Sequence, residues 1–101
     1  GADILSNSWS VYPSPQPILQ SAIVDIAKAG GIGRNGKGCV LVYAAANTNS
    51  SVWYPTRYPE VIAVGATDHQ DLRWGYSNYG PELDIMAPGG PFPPGSAGVR
   101  C

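Results

Sequence analysis

Charge, cysteine and long apolar runs are all scarce in this 101-residue sequence. Six lysine and arginine residues stand against seven aspartates and glutamates, for a net charge of −1. This balance predicts neither a nucleic-acid partner nor an anionic membrane surface as a partner. No apolar run is long enough to cross a bilayer, and no basic segment followed by an apolar stretch marks a secretory signal. Two cysteines, Cys39 and Cys101, are too few for a disulfide framework, so Cys39 is interpreted as a small core residue.

Glycine and proline are abundant, at thirteen and ten residues, which indicates many tight turns and close approaches of the backbone. The hydrophobic share of 44% suits a packed globular core. At this length the chain is one small domain or a part of a larger one. The composition leaves the cellular compartment open.

The apolar pattern along the chain predicts one helix, with one strand before it and three strands after it. Residues 17–29 carry apolar side chains at three- and four-residue spacing, as one face of an amphipathic helix does. Strands are predicted at 3–9, 39–45, 61–66 and 84–87. Because strand, helix and strand follow one another, the first two strands should run parallel in a βαβ unit. The sequence therefore predicts an α/β fold.

The two ends of the chain look unlike natural domain ends. The first strand begins almost at residue 1, and residues 91–101 are rich in proline and glycine without any periodicity. We expect a partial domain over 1–90 and a disordered tail over 91–101. A parallel sheet needs both faces covered, and only one clear helix is predicted, so the chain is expected to be a piece of a larger domain.

Residues 40–47 carry the strongest functional signal, because an apolar strand ends there in three alanines and Asn47. An amide at the carboxyl end of a buried strand is a suitable donor for a site that stabilises negative charge developing on oxygen. The alternative is an ordinary turn, since Asn-Thr-Asn-Ser is typical turn chemistry. The residues of this segment alone favour the turn, so the choice depends on the rest of the chain.

A glycine-rich segment at 31–37 resembles two phosphate-binding motifs. Residues 31–36 match the dinucleotide fingerprint, and the whole segment matches most of a Walker A loop. Both motifs need a loop that leaves a strand and opens a helix, whereas this loop leaves a helix and enters a strand. Gly38 also replaces the serine or threonine that would bind magnesium. The context favours a flexible connector over a nucleotide site.

Several blocks of sequence, taken in order, resemble the central portion of the subtilisin-like serine peptidases, or subtilases. The blocks lie at 3–9, 33–38, 43–47, 54–68 and 77–89, and include Ala-Ala-Ala-Asn at 44–47 and Leu-Asp-Ile-Met-Ala-Pro-Gly at 83–89. They cover residues 1–90, whereas the family's catalytic domain is much longer. The resemblance implies a fragment of a doubly wound, mainly parallel sheet. It also implies proteolysis by acyl transfer, with a peptide or protein as the substrate.

The three catalytic motifs of that family are missing from the sequence. Subtilases take an aspartate from Asp-Thr/Ser-Gly, a histidine from His-Gly-Thr and a serine from Gly-Thr-Ser-Met-Ala, and none of these occurs here. The only histidine, His69, lies in a polar segment and is interpreted as a solvated surface residue. Since a nucleophile needs a base within hydrogen-bond reach, this chain alone is predicted to be inactive.

By resemblance, Asn47 is the side-chain donor of the oxyanion hole, and short segments beside it bind the substrate. Ser8, Trp9 and Ser10 would pair with the substrate backbone and form one wall of the first specificity pocket, opposite Ala44, Ala45 and Ala46. Judged by its residue type alone, Trp9 is equally a core aromatic. Ala46 stands where the family usually has glycine, so its methyl group intrudes where backbone normally approaches closely.

Trp53 is the last substrate-binding residue that the resemblance implies. It stands where related sequences carry a small residue at the floor of the specificity pocket. An indole pointing inward would restrict that pocket to small side chains, as filled pockets do in other serine peptidases. The alternative is that Trp53 lies flat on the surface of a variable loop.

The resemblance further implies a structural calcium site. In related enzymes an aspartate at the position of Asp84 binds calcium together with main-chain carbonyls, here those of Pro59 and Val61. The peptide bond between Tyr54 and Pro55 is expected to be cis, as in relatives. Because calcium sites vary across the family, the alternative is that Asp84 is a simple surface carboxylate.

These features together favour a fragment of a serine endopeptidase that carries the oxyanion-hole asparagine and part of a substrate groove. Two alternatives stay open: a non-catalytic subtilase derivative that only binds peptides in the same groove, and a nucleotide-binding βαβ module. Calcium is the one cofactor expected. The family tendency is secretion, or at least a location outside the cytoplasm.

Overall fold

The computed structural model describes residues 1–91 and contains every predicted element in the predicted order. The elements are β1 at Ile4–Asn7, α1 at Pro17–Ala27, β2 at Val40–Ala44, β3 at Ile62–Thr67 and β4 at Ile85–Pro88, with a short 3-10 helix at Arg34–Gly36 between α1 and β2. The tail predicted over 91–101 lies, apart from Pro91, outside the described residues. Within that described part, no helix is both long enough and apolar enough to span a membrane.

The strands form a four-stranded sheet in the order β1-β2-β3-β4, and every neighbouring pair is parallel. Ile4 lies opposite Val40, and Val42 lies opposite Ile62, so the apolar residues of successive strands share a face. The α/β fold and the parallel β1-α1-β2 unit are therefore confirmed. Since all the strands point the same way, their carboxyl ends meet at one edge of the sheet.

The helix covers one face of the sheet and builds the core there. Pro17 opens α1, where its missing N–H costs no hydrogen bond. Ile23 is 3% exposed and packs with Leu41 and Tyr43 of β2 and with Tyr58 and Val61. Burying one aliphatic side chain of this kind contributes about 1.5–3 kcal/mol to stability. This cluster fixes β2, the central strand that leads to Asn47.

The entry into β2 is tightly packed against the end of the helix. The Cys39 N–H donates to the carbonyl of Ile26 at 3.0 Å. Gly38 has a φ of +80°, and a Cβ added there would collide with the carbonyl of Ala27, so only glycine fits. Cys39 is 6% exposed, and its thiol donates to the carbonyl of Ala2 at 3.1 Å. Cys39 is thus a core residue, as predicted.

The opposite face of the sheet carries a row of apolar side chains. Ile4, Ile62 and Ile85 lie on this same face of β1, β3 and β4, in successive positions along the sheet, and they are 63%, 38% and 54% exposed. No element among residues 1–91 buries them. Within residues 1–91, α1 therefore covers one face of the sheet and leaves the other uncovered, which is the imbalance that the sequence predicts.

Candidate active-site cleft

An open cleft of ≈380 Å³ lies at the edge where the carboxyl ends of the strands meet. Ligands of open α/β sheets bind outside the carboxyl ends of the strands, so this edge is the expected place for a site. Gly65 on β3 and Gly89 after β4 line one side of the cleft. The cleft is also lined by a group of predicted site residues, namely Ser8, Ala44, Ala45, Ala46 and Asn47.

Asn47 is exposed in this cleft, and its side-chain amide has no hydrogen-bond partner among residues 1–91. The backbone on both sides of it is fixed. Ala45 N–H donates to the carbonyl of Val64 at 2.9 Å, and Thr48 N–H donates to Oδ1 of Asn78 at 2.8 Å. A free amide on a fixed backbone can donate to an oxygen that gains charge without first giving up another bond.

Asn78 is a residue near the site to which the sequence assigned no role. Its side chain is completely buried and holds the loop that follows Asn47. These contacts join residues 27 and 30 positions apart in the chain. An asparagine of this kind is indistinguishable from an ordinary turn residue in the sequence, because the only local signal is its turn chemistry.

Ala46 has a φ of +81°, in the left-handed region that favours glycine. An L-residue other than glycine is destabilised there by roughly 1–2 kcal/mol. The backbone at this position therefore keeps the conformation for which a glycine is suited, although an alanine occupies it. The strain lies directly beside Asn47, between the end of β2 and the anchored loop.

The three residues of the predicted wall 8–10 do not lie together. Ser8 lines the cleft, whereas Trp9 lies in a separate apolar groove of ≈450 Å³ beside Ile18 of α1. The hydroxyl of Ser10 is turned the other way and donates to the carbonyl of Tyr54 at 3.2 Å. Ser10 is only 6% exposed. Among the three side chains, Ser8 is the one placed at this cleft.

Trp53 is half-buried and does not line the cleft. The peptide bond that follows, between Tyr54 and Pro55, is cis, as predicted. The carbonyl of Tyr54 accepts hydrogen bonds from the N–H groups of Val11 and Tyr12 at 3.1 and 3.2 Å. These bonds tie the loop that contains Trp53 to the segment that follows β1.

Pro59, Val61 and Asp84 line a second, smaller cleft of ≈260 Å³. One oxygen of Asp84, Oδ2, already accepts a hydrogen bond from the Ala63 N–H at 2.8 Å. Calcium takes about six to eight oxygen ligands, and a carboxylate with nearby carbonyls is the donor type that it prefers. Within residues 1–91, no group of three or more His, Cys, Asp and Glu side chains converges to hold a metal. The Asp84 carboxylate and the carbonyls of Pro59 and Val61 are oxygen donors of the type that calcium binds. Other groups would have to supply the rest of its ligands.

Tyr43 lines the cleft, whereas His69 does not. Tyr43 is 5% exposed at the carboxyl end of β2, and burial raises the pKa of its phenol above the ordinary value of 10.0. The phenol is therefore neutral across the physiological range. His69 is exposed after β3, outside the cleft, as a solvated residue should be. No pair of serine and histidine lines the cleft in the described part of the chain.

The glycine-rich segment has the order of elements that argues against a phosphate site. It follows α1 and enters β2, with the 3-10 helix inside it. Several of its donors are engaged: Arg34 N–H donates to Asp3 at 2.6 Å, and Gly36 N–H donates to Gly33 at 3.0 Å. The segment therefore connects α1 to β2, which is the order of elements that the sequence predicts.

The sequence profile described as the Subtilase family matches residues 1–100. Subtilisin BL of Lederbergia lenta is 42% identical over 78 residues, which cover 76% of this chain and 26% of that protein. Subtilisin DY of Bacillus licheniformis is 42% identical over 94 residues, which cover 88% of this chain and 31% of that protein. A thermostable alkaline protease of Halalkalibacterium halodurans is 50% identical over 56 residues, which cover 54% of this chain and 16% of that protein. The chain spans no more than about a third of the length of these curated relatives.

Proposed function

The chain belongs to the subtilase family, and from that premise we propose that it is the part of a serine endopeptidase that binds the substrate peptide and supplies Asn47 to the oxyanion hole. The observation that carries this proposal is the free amide of Asn47 at the carboxyl end of β2, in the cleft. A donor held there before the reaction begins costs no reorganisation when charge develops.

Asn47 acts on the oxygen of the scissile carbonyl. When a nucleophile attacks the carbonyl carbon, the carbonyl electron pair moves onto the oxygen, which becomes an oxyanion. The Nδ2–H of Asn47 donates to that oxygen more strongly in the transition state than in the bound substrate, because the charge is then larger. The amide is neutral, so it stabilises the oxyanion by hydrogen bonding and adds no net charge to the cleft.

The nucleophile and its base come from outside this sequence, since its 101 residues contain none of the three catalytic motifs. Asn47 stabilises a transition state that another part of the enzyme must create. Oxyanion stabilisation alone gives only residual catalysis. The chain by itself therefore contributes to binding and charge stabilisation, without turnover.

The partner of this cleft is an extended peptide or protein segment. Ser8 at the end of β1 and the alanines 44–46 at the end of β2 are the groups available to its backbone. The small side chains of Ser8, Ala44 and Ala45 let a substrate backbone approach closely. By family tendency the complete enzyme is secreted, and Asp84 with the carbonyls of Pro59 and Val61 is the candidate structural calcium site.

One observation favours a second candidate function, a domain that binds peptides without cleaving them. Ala46 departs from the usual glycine of the family at a strained backbone position directly before Asn47. A methyl group there narrows the approach to the oxyanion donor. The same cleft would then hold a peptide whose carbonyl is never attacked.

Peptide-ester hydrolysis by the 101-residue chain and by the complete protein that carries it tests the proposal. The chain alone is expected to show no turnover, and the complete protein is expected to show turnover that a serine-directed fluorophosphonate abolishes. Turnover by the chain that the same reagent blocks would contradict the assignment of roles. A complete protein that binds peptides but never reacts with the reagent would favour the second candidate.

A further inference from the structure

Asn78 forms several side-chain hydrogen bonds to the loop after β2, although the proposed function gives it no role. Its side chain is 0% exposed. Its Oδ1 accepts hydrogen bonds from the Thr48 N–H at 2.8 Å and the Thr48 hydroxyl at 3.0 Å. Its Nδ2 donates to the carbonyl of Ser51 at 3.0 Å. One buried amide thus fixes both ends of the segment 48–51.

The backbone of Asn78 holds the other side of Asn47. Its N–H donates to the carbonyl of Ala46 at 3.1 Å. Asn47 therefore lies between two neighbours that are both bonded to the same residue. Its own amide has no partner among residues 1–91, so only its backbone orients it. Asn78 holds that backbone on both sides, together with the hydrogen bonds from Ala45 N–H to Val64 and from Asn49 N–H to Tyr76.

We propose that Asn78 is a positioning residue that holds the Asn47 amide in the geometry needed to bind the oxyanion. The inference rests on the function proposed above. Oxyanion stabilisation depends on donors that are placed before charge develops, and an exposed side chain on a loose loop loses that advantage. Asn78 supplies the rigidity from a position that the substrate never touches.

The chemistry of the site explains why an asparagine suits this position. The side chain must accept from Thr48 and donate to Ser51 at the same time. An amide has both an acceptor and a donor, whereas a carboxylate has no donor and brings a buried charge that is costly without a partner. An aliphatic side chain of the same size would leave the loop groups unpaired.

The test is a double-mutant cycle in the complete protein, with kcat and KM measured for Asn78→Ala, Asn47→Ala and the double variant. Asn78→Ala is expected to lower kcat by roughly 10- to 100-fold, because a displacement of about 1 Å is that costly at a reacting centre. KM should stay within about twofold, since the loss falls on the transition state. In the Asn47→Ala background, Asn78→Ala should lower kcat no further, because the group that it positions is already gone.

Tyr58→Phe is the matched control for a lost buried hydrogen bond. The Tyr58 hydroxyl accepts from the Gln16 N–H at 2.7 Å, and neither residue lines the cleft, so this variant should destabilise the protein and leave kcat unchanged. If Asn78→Ala does not fold, the same cycle uses Asn78→Asp. That variant keeps the volume and the acceptor, but it places an oxygen against the Ser51 carbonyl.

The outcomes separate this inference from the proposed function. An unchanged kcat in Asn47→Ala would remove the oxyanion role itself. A large loss in Asn47→Ala would leave that role standing. If Asn78→Ala or Asn78→Asp then left kcat unchanged, or multiplied the loss in the double variant, the positioning role alone would be overturned.

Discussion

The indole of Trp9 stands edge-on against the ring of Tyr43, with the ring centroids 5.2 Å apart and the planes at 84°. This contact joins the segment after β1 to the carboxyl end of β2, and it covers the Tyr43 ring next to the cleft. Aromatic pairs in this geometry contribute about 0.5–1.5 kcal/mol beyond the area that they bury. Trp9 therefore has a structural role, whatever contact it makes with a substrate.

The burial of Tyr43 predicts a dependence of stability on alkaline pH. Because the folded pKa is raised by desolvation, the unfolded chain ionises first as pH rises, near its ordinary pKa of 10.0. The stabilisation is complete below that value and is lost as pH rises through the folded pKa. Tyr43→Phe should therefore lose less unfolding free energy between pH 9 and about pH 11 than the wild type does. Parallel losses, measured by denaturant unfolding of the complete protein, would contradict this.

Relief of the strained backbone at Ala46 should stabilise the protein. Ala46→Gly removes roughly 1–2 kcal/mol of left-handed strain. The larger conformational entropy of glycine in the unfolded chain costs about 0.5–1 kcal/mol, so a net gain of up to about 1.5 kcal/mol is expected. Ala44→Gly is the matched control, because Ala44 lies in β2 and should lose about 0.5–1 kcal/mol on the same change. Denaturant unfolding of both variants decides the matter, and an equal loss in each would disprove the strain.

The calcium proposal predicts that stability depends on Asp84. Calcium present at a hundredfold excess over Kd should stabilise the complete protein by about 2.7 kcal/mol. Asp84→Asn should abolish that gain while preserving an acceptor for the Ala63 N–H. Asp25→Asn on α1 is the control, since its carboxylate pairs with Lys28 at the protein surface. Thermal melts with calcium and with chelator give the answer; if Asp84→Asn responds like the wild type, Asp84 is only a surface acid.

The elements of the fold could be predicted from the sequence because each has its own periodicity, and their ends could not. The sequence predicts one strand over residues 3–9, but β1 covers only Ile4–Asn7. The pairing of β1 with β2 ends at Asn7, which lies opposite Tyr43. The helix stops at Ala27, two residues early, since Lys28 already has an extended ψ of 155°. Strand and helix limits depend on partners elsewhere in the chain, and a local pattern does not contain them.

The candidate site was predictable only in part, for the same reason. The placement of Asn47 and the alanines before it in the cleft follows from a strand that ends at the edge of a parallel sheet, whereas their roles were implied only by the family resemblance. Trp9 and Ser10 are adjacent to Ser8 in sequence, yet neither lines the cleft. The Trp9 ring packs on Tyr43 and lines a separate groove, and the Ser10 hydroxyl donates to the Tyr54 carbonyl. Asn78 was missed because the hydrogen bonds of its side chain are all long-range.

The most direct measurement of the central claim is kcat for Asn47→Ala in the complete protein, with a peptide substrate. We expect kcat to fall by about 10²–10³ with KM little changed, a magnitude taken from the loss of an oxyanion donor in subtilisin itself. Asn49→Gly is the matched control, because this residue is exposed on the same loop, does not line the cleft and has a φ of +49°, which glycine adopts without strain. It should leave kcat within about twofold. An Asn47→Ala variant that turns over as fast as Asn49→Gly would contradict the account.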